Sequence, residues 1–191
     1  MRLTRRRIGA RRNRHAAHGQ ALAEFALILP ILALLLLTII QFAFIFAAQF
    51  GITNAVREAA RLAAVTTPTI TTPEAGANGA GVRTALTDPS TGFLKENVFA
   101  YDPVDLVPGG TSVCYRRVTD EAGKQIIVVR VVATYVHSVF IPLLDGYLNG
   151  IDGDTTDGGL KVSSGEEMRV ENEGIVVLPG NVIPTSPETC S

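Results

Sequence analysis

Glu24 stands at the edge of a stretch, Phe25 to Phe50, that holds no charged residue. A carboxylate carried into hydrocarbon there costs up to about 3 kcal/mol unless something compensates it. Two compensations are open. At headgroup level near a helix N-terminus, the macrodipole and the arginines before it both favour an anion. Alternatively, the carboxylate awaits a cation made by processing. Gly19 is a small residue between a basic leader and a long apolar run, a chain-flexible place for a peptidase to cut. Cleavage after Gly19 makes Gln20 the first residue, with a new ammonium, and Glu24 the fifth.

Other reactive side chains are sparse. Cys114 and Cys190 are the only cysteines and do not form a CxxC. In an oxidising compartment they either close one disulfide, tying the C-terminal tail to the body, or stay as two free thiols. His137 lies beside Ser138 in a strand-like run, where adjacent side chains point to opposite faces, so the pair does not make a nucleophile with its base. The acidic run Asp152-Gly153-Asp154-Thr155-Thr156-Asp157-Gly158 departs from the EF-hand pattern, with Asp157 where the loop needs Gly and Ser163 where it needs Glu. It reads as a solvated loop, with weak Ca²⁺ binding as the alternative. No Gly-rich phosphate loop or metal-ligand cluster appears, so no cofactor, no metal and no enzymatic activity is expected.

The elements that position Glu24 follow from the same stretch. Its 26 residues make about 39 Å of helix against a hydrocarbon core of about 30 Å, enough to span a bilayer with tilt. Pro30 has no N–H for the carbonyl of Ala26, which predicts a kink or local opening. Phe42, Phe46 and Phe50 recur at helical spacing and form a stripe, read as lipid-facing, with helix contact as the alternative. The composition agrees: 47% of the 191 residues are apolar, with much of the excess in this run. The net charge of −1 hides a split, because the first 19 residues hold seven Arg and no acid while the remainder carries ten bases against eighteen acids. That asymmetry predicts a cytoplasmic N-terminus and an exported body. The apolar run is too long for a removable secretory signal and lacks a nearby small-residue cleavage site. The short basic tip has no interleaved aromatics, which disfavours a nucleic-acid partner.

Beyond Phe50 the helix continues, with Ile52, Val56, Ala59 and Ala63 on one face and Arg57, Glu58 and Arg61 on the wetter one, and it should end near Val65 before Thr66-Thr67-Pro68. A Thr/Pro/Gly-rich linker follows, with room for a short helix within Glu74 to Leu86. Ser112 to Thr119 and Gln125 to Val139, joined by Asp120-Glu121-Ala122-Gly123-Lys124, predict a β-hairpin. The second run is nearly continuous in hydrophobicity, as in a central strand covered on both faces. Ile175 to Leu178 and, more weakly, Val98 to Tyr101 are further strand candidates. The expected fold class is α+β, a long N-terminal helix packed with a small antiparallel sheet. The expected organisation is a basic leader (1–19), a membrane and exported helix (20–65), a linker (66–95) and an exported β-rich domain (96–191).

The segment Gly19-Gln20-Ala21-Leu22-Ala23-Glu24-Phe25 resembles a type IV prepilin processing site, with Gly before the cut and Glu at the fifth mature position. From Gly19 through Pro30 and on through Asn54-Ala55-Val56-Arg57-Glu58-Ala59-Ala60-Arg61 the chain resembles the TadE-like proteins, minor pilins or pseudopilins of tight-adherence (Tad) pili. Phe140-Ile141-Pro142-Leu143 and Met168-Arg169-Val170-Glu171 are looser likenesses to the same family. Flp-type pilins of these systems usually carry Tyr after the Glu, where this chain has Phe25, and they are much shorter. The resemblance implies a prepilin-type peptidase that removes the leader on the cytoplasmic side, and a Glu24 that aligns the subunit with its neighbours. It also implies as partners other Tad pilins or pseudopilins, the inner-membrane assembly platform and the lipid bilayer. The alternative is an uncleaved single-pass signal-anchor protein with an exported binding domain.

Overall fold

The computed structural model describes residues 14–66, 69–70, 77–99, 101–141, 146, 150, 159–171 and 176–177. The elements, in chain order, are helix α1 (Arg14–Val65), strand β1 (Thr69–Ile70), helices α2 (Ala77–Thr87) and α3 (Phe93–Asn97), a 3-10 turn (Pro103–Asp105), and strands β2 (Ser112–Thr119), β3 (Gln125–Ser138), β4 (Gly159–Arg169) and β5 (Val176–Val177). The α+β class expected from the sequence is the class observed. The chain divides into two compact units, Met1–Ile40 and Gln41–Ser191.

In the first unit the described part is α1 alone. From Gly19 to Ile40 every residue is exposed except Thr38, whose hydroxyl donates to the Leu34 carbonyl at 2.8 Å. Leu22, Phe25, Leu27, Ile28, Ile31 and Leu32 all stand open, as the lipid-facing surface of a spanning helix must. Among the described residues one helix, α1, is thus long and apolar enough to cross a membrane, as a single-pass membrane protein would have.

The second unit is built on the rest of α1. Ala48, Ile52, Ala55, Val56, Ala59, Ala60 and Ala63 are buried, and the small alanines let the helix backbone come close to the sheet. The Tyr115 hydroxyl donates to the Ala63 carbonyl at 3.4 Å, the Ser164 hydroxyl lies 3.3 Å from that of Thr53, and Arg57 faces Glu166 at 3.8 Å. At the helix end the Thr66 hydroxyl and N–H both donate to the Leu62 carbonyl. The N–H of Glu171, just past β4, donates to the Ala64 carbonyl at 3.1 Å. These bonds answer carbonyls that a helix terminus otherwise leaves open, and α1 stops at Val65 as its sequence predicts.

The sheet has the order β2-β3-β4, antiparallel throughout, with Tyr115 opposite Val129 and Val129 opposite Met168. The β2–β3 hairpin forms where expected. Asp120 Oδ1 accepts from the N–H groups of Ala122 and Lys124, and Gly123 takes φ +77°, a left-handed conformation suited to glycine. β3 is central, but only the face of Val129, Val131, Ala133 and Tyr135 is fully buried. On the opposite face Val128 is buried, but Arg130 is exposed and Val132, Thr134 and Val136 are half-buried, so the expectation of cover on both faces along the strand is corrected. Two more expectations change. At its described residues the stretch Val98 to Tyr101 forms no strand: Val98 closes α3, its N–H donating to the Leu94 carbonyl. Val176–Val177 is a strand, yet it pairs in parallel with β1 instead of joining the antiparallel sheet. Helix α3 and strand β4 were not foreseen.

Candidate functional site

Helical geometry sets Gln20 and Glu24 one turn apart on the same face of α1. The Gln20 Nε2 donates to Glu24 Oε1 at 3.1 Å, and both side chains are exposed. A carboxylate can accept about four hydrogen bonds, so this one amide leaves most of its capacity for an incoming cation. Between Arg14 and Arg57 no other Asp, Glu, Lys or Arg occurs. Gly19 lies inside α1, where a hypothetical Cβ would meet nothing within 4 Å beyond the helix's own backbone. Phe25 is exposed beside Glu24, and Pro30 lies inside α1. The fold therefore brings together Gly19, Gln20, Glu24 and Phe25 on one open helical turn or next to it.

The second unit holds the remaining candidates apart from these. Cys114 is 1% exposed in β2 and carries no free thiol; Cys190 lies outside the described residues. The acidic run 152–158 also lies outside them, as do Pro142 and Leu143. Met168 and Arg169 close β4, and Val170 enters the core. His137 Nδ1 meets the Tyr135 hydroxyl at 3.4 Å and not Ser138. Burial holds the His137 imidazole below its ordinary pKa and Asp105 above its own, while their mutual attraction opposes both shifts. Among the described residues no group of three His, Cys, Asp or Glu side chains is placed to hold a metal ion.

One polar residue escaped sequence reasoning. Gln41 lies within the uncharged run that reads as a spanning helix, but it is fully buried in the second unit. Its Oε1 accepts from the Phe140 N–H at 3.2 Å, while its Nε2 has no hydrogen-bond partner among the described residues. No local signal distinguishes such a residue from a tolerated polar group in a membrane helix, because its partner lies far along the chain.

The open turn Gly19–Phe25 and the helix that carries it can be set beside known families. Residues 19–61 match the family model of the TadE-like protein. The match starts at Gly19 and ends at Arg61, four residues before the end of α1. It is the resemblance drawn from the sequence, over nearly the same residues. The match covers 43 of the 191 residues. No curated protein and no solved structure matches the chain.

Proposed function

We propose that this protein is a TadE-like minor pilin or pseudopilin, non-catalytic, acting in the assembly of Tad-type pili at the inner membrane. A prepilin-type peptidase cuts between Gly19 and Gln20 on the cytoplasmic side, separating the leader (1–19) from α1. The helix (20–65) anchors the subunit, and the part beyond the linker (66–95) is exported as an αβ domain (96–191) that meets other Tad pilins and the assembly platform. A disulfide between Cys114 and Cys190 fastens the tail to the sheet.

The observation that supports this reading most is the setting of Glu24. It is the one acid between Arg14 and Arg57, it lies on an open apolar helix, and among the described residues its hydrogen-bond partner is the side chain of the residue that cleavage would turn into an N-terminus. An ammonium on Gln20 adds a cation at that same turn. When the helix packs among others, a neighbour's Glu24 is the compensating anion for this ammonium. Desolvation offsets much of the attraction between buried charges, so the pair acts on register more than on net stability.

Mass spectrometry of the N-terminal peptide of the membrane-extracted protein tests the proposal. Processing predicts a chain that begins at Gln20 in cells with a working peptidase and at Met1 in cells without it. A Met1 start in both would favour a permanently anchored protein that displays a binding domain, and would end the pilin reading.

A further inference from the structure

Phe44, Phe99 and Phe140 come from three separate segments of the second unit and pack on one another. The Phe44 and Phe99 rings stack at 5.6 Å, and Phe140 meets Phe44 edge-on at 6.0 Å. Burial of such a cluster is normally what draws it together, yet Phe99 remains 67% exposed and Phe140 52%. Gln41 fixes the arrangement by accepting the Phe140 N–H. Within the same turn and a half of α1, Phe42 and Phe46 are also exposed. Phe42 and Phe46, one turn apart, share a face, while Phe44 lies about 160° from each of them around the helix. The apolar collar thus stands on two opposite sides of the helix and is not a patch on one side.

The position of the collar along the chain names what covers it. A hydrocarbon core of about 30 Å takes up about twenty helical residues. Counted from Phe25, where the uncharged run begins, the twentieth residue is Phe44. An apolar collar at the depth where a spanning helix leaves hydrocarbon faces a layer, and a layer contacts all sides of a helix at once. A single protein partner would cover one side. We infer that the Phe44–Phe99–Phe140 cluster seats the exported domain in the headgroup and upper acyl layer of the bilayer, so that the domain rests on the lipid surface instead of hanging from a free tether. The inference rests on the membrane-crossing helix and not on leader removal or the pilus role, so a chain that keeps its leader leaves it untouched.

The chain has no Trp, so single-Trp variants report cleanly. F99W, F140W and E121W of the full-length protein are reconstituted into phosphatidylcholine vesicles with and without acyl-chain bromination. Glu121 is the exposed tip of the β2–β3 hairpin, and the 14-residue β3 separates it from Phe140 by about 45 Å. The expected result is that F99W and F140W lose most of their emission in brominated lipid while E121W loses almost none. Equal quenching at the three positions overturns the inference. So does emission at 99 and 140 that shifts to the blue with rising protein-to-lipid ratio but is not quenched by bromine, since a second copy then covers the cluster. In the unaltered protein, a phosphatidylcholine carrying a photoreactive acyl chain should label the peptides containing Phe99 and Phe140 and spare the hairpin. Absence of label on both peptides would equally overturn it.

Discussion

Replacing Gly51 by Ala sets two effects of known sign against each other. Gly51 is buried in the part of α1 that belongs to the second unit, and a Cβ there would lie 2.5 Å from the Asn97 carbonyl oxygen and 3.0 Å from the Val98 Cα. Alanine in a helix interior favours the helix by about 1 kcal/mol over glycine. Overpacking a filled core costs about 1–3 kcal/mol. The upper end applies, because the obstructing atoms are backbone and that backbone is held. The Asn97 side chain donates to the Phe93 carbonyl at 3.0 Å and to Glu58 at 3.2 Å, and the Val98 N–H donates to Leu94 at 2.9 Å. The expected balance is a net loss of about 2 kcal/mol, which for a unit of this size lowers Tm by about 4–8 °C. Near-ultraviolet circular dichroism of the four tyrosines during heating of the full-length protein in detergent measures it. Gly81→Ala in α2 is the reference: nothing lies within 4 Å of its Cβ, so only the gain of up to about 1 kcal/mol remains. If Gly51→Ala melts at or above the wild-type temperature, the turn at Asn97–Val98 yields freely and the reasoning from close approach is wrong.

Asp88 accepts hydrogen bonds from the Ser90 hydroxyl and from the Thr91 and Ser90 N–H groups, which hold its pKa down to about 2 from 3.8. A depressed carboxylate stabilises the fold fully above its unfolded value and loses that contribution as pH falls through the folded one. Acid should therefore lower the urea midpoint between pH 3.8 and about 2 less steeply in Asp88→Asn than in wild type, and identical profiles would remove Asp88 from the account. Reduction, or Cys114→Ser, should lower stability by about 2–5 kcal/mol if the bridge to Cys190 closes a long loop; an unmoved midpoint would mean that the bridge does not form. Glu24→Ala should leave the protein in the membrane fraction while its recovery in sheared pili or in the crosslinked assembly complex falls. Normal incorporation of that variant would return Glu24 to a headgroup anion at a helix end.

What the sequence disclosed was what local pattern encodes. The uncharged run, the arginine asymmetry and the Gly19–Glu24 spacing are all contiguous, and so are the hairpin turn residues Asp120 and Gly123. Strand β4 was missed because its centre, Ser163-Ser164-Gly165-Glu166-Glu167, lacks the β-branched and aromatic residues that mark strands. It is an edge strand, and its side chains find partners elsewhere in the fold: Glu167 accepts from Arg116 Nε at 2.7 Å, Ser163 bonds Thr134, and Ser164 meets Thr53. β3 misled in the opposite sense, because Val128, Val132 and Val136 keep the run apolar on a face that is only partly covered. The start of the second unit at Gln41 was also invisible, since the uncharged run continues for nine more residues to Phe50. Of the candidate site, the Gln20–Glu24 pair follows from helical spacing alone. The Phe44–Phe99–Phe140 cluster does not, because only tertiary structure joins its three segments.

The bond from Glu171 to the Ala64 carbonyl changes how this molecule can come apart. A helix end usually frays one residue at a time, each step small and reversible. Here the final turn cannot unwind until the segment leaving the sheet lets go, so the two loosen as a single cooperative event. Pulling on the anchor would then load the sheet's outer edge at once, with no slack taken up by a melting terminus.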